Sequence, residues 1–163
     1  MQKIISGSAQ IFAQNDIDTD LIIPAKYLTT SDSVELAAHA LEAIDGEKLK
    51  SVENPIVVAG KNFGCGSSRE HAVWALAGTG VVAVIAESFA RIFFRNSVNF
   101  GLSTFVIPDA SKKFAEGDAI EIDSKNSKIK NLTQKTELKF EPLPRFLNEI
   151  VEAGGLLNQI GWL

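Results

Sequence analysis

Three short segments of the chain are apolar almost without interruption: IVVAG at 56–60, VVAVIA at 81–86 and LSTFVI at 102–107. A strand that is apolar at nearly every position has both faces covered, the pattern of parallel strands in α/β layers. The stretches between them carry helical signals. AVWALAG is apolar on most sides and stops near Gly78 or Gly80, and ESFARIFFRNSVN reads as a second helix. The order strand–helix–strand–helix–strand argues for parallel pairing, so the fold class is α/β.

The flanking segments have a different texture. Residues 2–13 read as a strand, and 14–32, which contain NDIDTDLIIPAKYLTTSD, as a long loop interrupted by Pro24. Asp32 and Glu35 form a capping-box pattern ahead of VELAAHALEAI. Val34, Leu41 and Ile44 in that stretch have helical spacing, and Gly46 is a natural stop. Beyond Pro108, AIEID and KIKNL flank a polar SKNS turn, which predicts a hairpin. ELKFEPLP reads as extended, and PRFLNEIVEAGG as a terminal helix with a glycine stop. No repeat or linker divides the chain, and 163 residues suit one domain spanning 1–163.

Composition excludes several function classes. The chain carries 16 basic and 20 acidic residues, for a net charge of −4, which disfavours non-specific nucleic-acid binding. No apolar run approaches the ~20 residues of a membrane helix. The first residues, MQKIISGSAQIFAQN, lack the apolar block of a signal peptide, so a cytoplasmic protein without a membrane partner is expected. Cys65 is the only cysteine, whereas an iron–sulfur cluster takes about four thiolates. With only His39 and His71 besides, and no close Cys/His spacing, a zinc site is disfavoured. Any metal chemistry has to come from a partner chain. Asp16, Asp18 and Asp20 alternate like half a calcium loop, but Leu21 and Tyr27 stand where that loop needs Gly and Glu. Asp16 and Asp18 read instead as turn residues bonding nearby backbone.

The chemistry is concentrated in NFGCGSSREHA, residues 62–72, between a buried strand and a buried helix. In open α/β sheets ligands bind at such junctions, outside the carboxyl ends of the strands. Gly64 and Gly66 let backbone approach a ligand closely, and the amides of Gly64, Cys65 and Gly66 at a helix start favour an anion. The dinucleotide fingerprint fails because Arg69 stands at the third glycine, and the phosphate loop lacks its Gly-Lys-Ser/Thr. The nucleophile elbow fails because no glycine follows the serine at the required spacing. Two readings stay open. Ser67-Ser68-Arg69-Glu70 is by itself a capping box, with Ser67 as N-cap. Capping explains neither Gly-Cys-Gly nor an arginine at a helix mouth, where the dipole disfavours a cation, and an anion bound there would explain both. Cys65 is either a thiol activated by the helix start or a small residue packed in a turn. No Asn or Asp is placed to orient His71 toward it, which favours packing.

NFGCGSSREHA, followed by AVIAESFARIFFRNSVNFGL and preceded by DIDTDLIIPAKYL, resembles the small subunits of 3-isopropylmalate dehydratase, the detached swivelling domain of the aconitase superfamily. The resemblance covers essentially the whole chain, with the three motifs in order. It implies a layered β/β/α fold with a partly parallel central sheet. It further implies a hydro-lyase active only with a large subunit, as heterodimer or heterotetramer. No cofactor would sit on this chain; a [4Fe–4S] cluster would be held by the large subunit, its iron a Lewis acid on the departing hydroxyl. The implied reaction interconverts 2-isopropylmalate and 3-isopropylmalate through 2-isopropylmaleate, in leucine biosynthesis.

By the same resemblance Ser67 is the catalytic base, Ser68 and Arg69 are ligands of a substrate carboxylate, and Asp20 is an acidic substrate-binding position facing the cleft. Tyr27, Leu28, Thr29 and Thr30 form the loop that lines the pocket for the substrate's variable side chain. This loop has no arginine, which suits an alkyl group. Related hydro-lyases acting on citraconate or 2-methylmalate, dimethylmalate or homoaconitate are the alternatives, as is a non-catalytic anion-binding module. Arg91 and Arg95 sit one helical turn apart and read as a solvated face, Phe89, Phe93 and Phe94 as core, and His39 as partly exposed on its helix.

Overall fold

The computed structural model describes residues 3–162. Gln2, at the start of the expected first strand, lies outside the described residues. Strand β1 (Ile4–Phe12) lies in the middle of one seven-stranded sheet. On one side it pairs in parallel with β2 (Pro55–Ala59), which continues in parallel to β3 (Ala83–Ala86) and β4 (Ser103–Val106). On the other side it pairs antiparallel with β5 (Ala119–Asp123), followed by the meander β6 (Lys128–Asn131) and β7 (Thr136–Lys139). The predicted parallel layer and hairpin are both present, the hairpin turning through residues 124–127.

Alternation along the parallel strands explains why they read as continuously apolar. Val57, Ala59, Val84 and Ala86 point to one face of the sheet, and Ile56, Val58, Ala83 and Ile85 to the other, all fully buried. The first face is covered by helices: α1 (Thr19–Ile22), α2 (Ser33–Ala37), α3 (Glu70–Gly78) and α4 (Arg91–Phe100). The second face is covered mostly by the sheet itself. Ile120, Ile122 and Ile129 of the antiparallel half pack into the same cluster as Ile56 and Ile85. The rings of Phe105 on β4 and Phe140 just after β7 meet at 4.8 Å, so the two ends of the sheet curl over one core. One curled sheet with helices on its outer face therefore supplies the β/β/α layering. Each fully buried Ile or Phe contributes about 1.5–3 kcal/mol to holding it. Helix α5 (Ala110–Lys113) extends the second core, and α6 (Arg145–Glu152) and α7 (Leu156–Gln159) pack beside α4. Among the described residues no helix is long and apolar enough to cross a membrane.

The structure departs from the sequence reading in three places. The helix expected to run to Ile44 ends at Ala37, although Asp32 does cap it by accepting from the Val34 amide at 2.9 Å. The chain continues as 3-10 turns at Glu42–Ile44 and Gly46–Ser51, with Leu41 and Asp45 at φ 54° and 70°. The Leu41 amide donates to Ile22 O at 2.9 Å, and this tertiary bond replaces the intrahelical one. Val34, whose spacing suggested a buried face, is 74% exposed. Helix α4 starts at Arg91 and not at Glu87, because residues 87–90 bond to the loop after β2. The expected loop 14–32 contains α1 and a 3-10 turn at Ala25–Tyr27.

Asp118, ahead of β5, is buried and accepts hydrogen bonds from the Ala115 amide at 2.8 Å, Asn131 Nδ2 at 2.6 Å and Gln134 Nε2 at 2.7 Å. Burial pushes its pKa up, but the three hydrogen bonds together outweigh burial and hold the carboxyl below its usual range. A folded pKa below the unfolded value gives stability that is full above the unfolded value and is lost as pH falls through the folded one. Asp118→Ala is expected to cost about 2–3 kcal/mol at pH 7, since it strands buried donors. In urea titrations the gap between wild type and variant should narrow as the pH is lowered below the ordinary carboxylate range.

Candidate active site at the carboxyl ends of the parallel strands

Three loops leave the carboxyl ends of β1, β2 and β3, and backbone hydrogen bonds join them. Between the first and second, Asp16 N donates to Lys61 O, Gly64 N to Ile17 O and Thr19 N to Cys65 O, each at 2.8 Å. Asn62 Nδ2 adds a bond to Asp16 Oδ1 at 2.9 Å. Between the second and third, Phe63 N donates to Ser88 O at 3.0 Å and Ala90 N to Phe63 O at 2.9 Å. Beneath them Phe63, fully buried, meets Phe93 edge-on at 5.1 Å and Phe89 at 6.2 Å. Of the phenylalanines expected in the core, Phe93 and the half-buried Phe89 form the floor of the site with Phe63, whereas Phe94 is half-buried outside both core clusters.

Gly64 has φ +81°, and a Cβ there would lie 2.2 Å from Phe93 Cγ, so no other residue fits without displacing the floor. Its amide is engaged by Ile17, which removes Gly64 from the expected anion-binding backbone. Gly66 has φ +94° but opens toward Thr19 Oγ1 at 3.3 Å. The amides of Cys65, Gly66, Ser67 and Ser68 donate to no acceptor elsewhere in the described chain, so two of the three expected amides stay free and the run of free donors extends to the serines.

Ser67 is not the N-cap. Helix α3 begins at Glu70 with Arg69 as N-cap, extended at φ −123° and ψ 113°, and with no side-chain capping bond. The Cys65 carbonyl is held by Thr19 and the Arg69 guanidinium by Asp20, and between these anchors the chain stays non-helical, bending at Gly66 and Ser67 before the extended Arg69. Ser67 and Ser68 are consequently exposed, with hydroxyls that bond to nothing in the described chain. Arg69 Nη1 lies 3.3 Å from Asp20 Oδ1, and the Arg69 side chain is only 20% exposed.

The other aspartates do local work, as their turn reading implied. Asp18 caps α1 through the Leu21 amide at 2.8 Å, and Asp16, at φ 55°, holds Asn62. Burial, and after it the charges of Asp16 and Asp18, push the Cys65 thiol up, so it stays protonated at neutral pH. That is opposite to what an activated thiol needs, and supports the packing reading.

Within the 27–30 loop, Tyr27 stacks on His39 at 3.7 Å with an interplanar angle of 5°, and its hydroxyl donates to Glu42 Oε1 at 3.0 Å. His39 Nδ1 lies 3.0 Å from Glu42 Oε2. This strut was not anticipated; its only sequence signal was the three-residue spacing of His39 and Glu42. Leu28 packs on the helical-face core, Thr30 Oγ1 accepts from the Asp32 amide at 3.0 Å, and Thr29 is exposed. Thr29 is thus the loop residue whose side chain is free to meet a ligand. No hydrogen bond joins residues 27–30 to Ser67, Ser68 or Arg69 among the described residues. Arg91 and Arg95 are exposed on α4, beyond the third loop.

Two clefts lie elsewhere. One of about 560 Å³ is bordered by Lys3, Phe105, Phe140 and Arg145, and one of about 400 Å³ by Ile4, Val81 and Phe100. Both are toward the amino ends of the strands, and neither includes Ser67, Ser68 or Arg69. The surface that carries Ser67 and Ser68 is open to solvent.

Residues 2–110 match the aconitase C-terminal domain family. The chain is 48% identical over 161 residues to a 3-isopropylmalate dehydratase small subunit of Methanopyrus kandleri, covering 98% of this chain and 94% of that one. It is 52% identical over 156 residues to the small subunit of Caldicellulosiruptor bescii, covering 95% and 93%. Its fold superposes on the crystal structure of a 3-isopropylmalate dehydratase from Methanocaldococcus jannaschii with a TM-score of 0.90 and 43% identity, over 98% of this chain and 95% of that one.

The glycine geometry predicts an asymmetric pair of variants. Gly64→Ala should destabilise the fold by about 2–4 kcal/mol, combining left-handed backbone strain with overpacking against Phe93. Gly66→Ala should cost about 1 kcal/mol, from backbone strain alone. Urea denaturation of both variants checks the difference.

Proposed function

The chain belongs to the small subunits of 3-isopropylmalate dehydratase, within the aconitase C-terminal domain family, and we propose that it supplies the base and the carboxylate ligands for interconverting 2-isopropylmalate and 3-isopropylmalate in leucine biosynthesis. It does so as one swivelling domain, in the cytoplasm, in a heteromer with a large subunit. One observation carries this reading. Two free serine hydroxyls, free backbone amides and a mostly buried arginine converge on an open surface and not in a cleft. That is half of a site for a small dicarboxylate.

Each residue has a role that its environment supports. Ser67 Oγ removes the proton from the carbon beside a substrate carboxylate as hydroxyl leaves the neighbouring carbon; the reverse addition at the exchanged positions gives the isomer. A serine alkoxide is a strong base that needs stabilisation, and the free amides of residues 66–68 and the field of Arg69 provide it. The planar fork of Arg69 suits a carboxylate, and the Ser68 hydroxyl can donate to one of its oxygens. A [4Fe–4S] cluster does not fit this chain. Cys65 is its single cysteine, and among the described residues no three His, Cys, Asp or Glu side chains converge. We therefore assign the cluster to the large subunit.

Substrate choice rests on Thr29, next to the packed Leu28. The adjacent cation, Lys26, lies 5.0 Å from the centre of the Tyr27 ring. An additional carboxylate placed at this loop would be desolvated without a partner, whereas an alkyl group gains about 0.8 kcal/mol per buried CH₂.

Three measurements on enzyme reconstituted anaerobically with the large subunit test this reading. Ser67→Ala should lower kcat by about a thousandfold or more with KM little changed. Because Ser67 caps nothing, its stability should stay within about 0.5 kcal/mol of wild type, which separates lost chemistry from lost folding. Arg69→Lys should mainly raise KM. Thr29→Arg should lower kcat/KM for isopropylmalate and raise it for homoaconitate. Wild-type preference for homoaconitate, or full activity of Ser67→Ala, overturns the assignment.

A further inference from the structure

We propose that Asp20 is a positioning residue that fixes the Arg69 guanidinium, and not a ligand of a substrate carboxylate. This rests on the reading of Arg69 as a carboxylate ligand. An ionised carboxylate only accepts hydrogen bonds, so Asp20 cannot bond to a substrate carboxylate, and its charge would repel one. What it touches is the cation. Asp20 Oδ1 lies 3.3 Å from Arg69 Nη1, through a single oxygen and a single nitrogen. A guanidinium has five N–H donors, so this contact leaves the second edge of the fork for a bidentate ligand.

The anchor is itself anchored. Asp20 Oδ1 also accepts from the Ala25 amide at 3.1 Å. Its helix, α1, is capped by Asp18 and tied by the Thr19 amide to the carbonyl of Cys65, two residues before Ser67. Asp20 therefore transmits the position of the Ser67 loop to Arg69. It also offsets a cation that stands against the dipole of α3, where Arg69 has no capping bond. Without Asp20 the arginine gains rotamers, and substrate binding must restrict them again.

A double-mutant cycle in the reconstituted enzyme tests this, using wild type, Asp20→Ala, Arg69→Ala and the double variant. Asp20→Ala should raise KM about tenfold and leave kcat within about threefold. Asp20→Asn keeps an acceptor for Nη1 and the Ala25 amide, and should recover at least half of the lost affinity. In the Arg69→Ala background, Asp20→Ala should add nothing, so the coupling equals its whole effect. Additive effects, a wild-type KM in Asp20→Ala, or a fall in kcat at unchanged KM overturn the positioning role while leaving Arg69 as ligand. A KM unmoved by Arg69→Ala overturns both. Should Asp20→Ala fail to fold, the same cycle run with Asp20→Asn is expected to give a threefold rise in KM that vanishes without Arg69.

Discussion

The backbone bonds that carry the β1–β2 pairing beyond the ends of the strands govern this end of the molecule. Gly60 donates to Gln14, Asp16 to Lys61, Gly64 to Ile17 and Thr19 to Cys65, so two loops behave as a continuation of the sheet. A loop held this way has little freedom of its own. It can present two serines to solvent without collapsing onto them. The close approach this requires leaves no room for a side chain at residue 64, where Phe93 closes the floor.

The two halves of the sheet divide the work. The parallel half sends its loops to one end and builds the site. The antiparallel half curls back, buries Ile120, Ile122 and Ile129 against the parallel strands, and closes through Phe105 and Phe140. That closure puts the clefts of the isolated chain at the opposite end from the chemistry. These clefts are consequently no guide to the proposed site, whose enclosure we assign to the large subunit.

The sheet was the most legible feature of the sequence. Continuous apolarity at 56–60 and 81–86 has one physical cause, burial on both faces, and the polar SKNS turn has one simple outcome. The 34–46 segment was less legible, because helical spacing cannot reveal that the Leu41 amide has a better acceptor in Ile22 O. Ser67 misled for a related reason. Ser-x-x-Glu is a capping signal only if the chain turns helical at once, and here helix α3 does not begin until Glu70. The tie between residues 20 and 69 is long-range, and no local pattern announces it. The candidate residues were visible as a cluster of types; which of them touch was not.

The electrostatics of the loops carry the incompleteness of the site one step further. Asp16, Asp18 and Asp20 lie around the motif, and Arg69 is the cation that meets one of them, Asp20. Asp16 and Asp18 serve the turn and the helix cap, yet their charges still act at a distance, adding to the burial that pushes the Cys65 thiol up. A small dicarboxylate adds two negative charges to this neighbourhood. One guanidinium, already shared with Asp20, cannot offset both, and the free amides contribute only partial charge. On the proposed reading of Arg69 as ligand of one carboxylate, the second carboxylate needs another cation, either the exposed Lys26 or Lys61 of these loops or one from the large subunit.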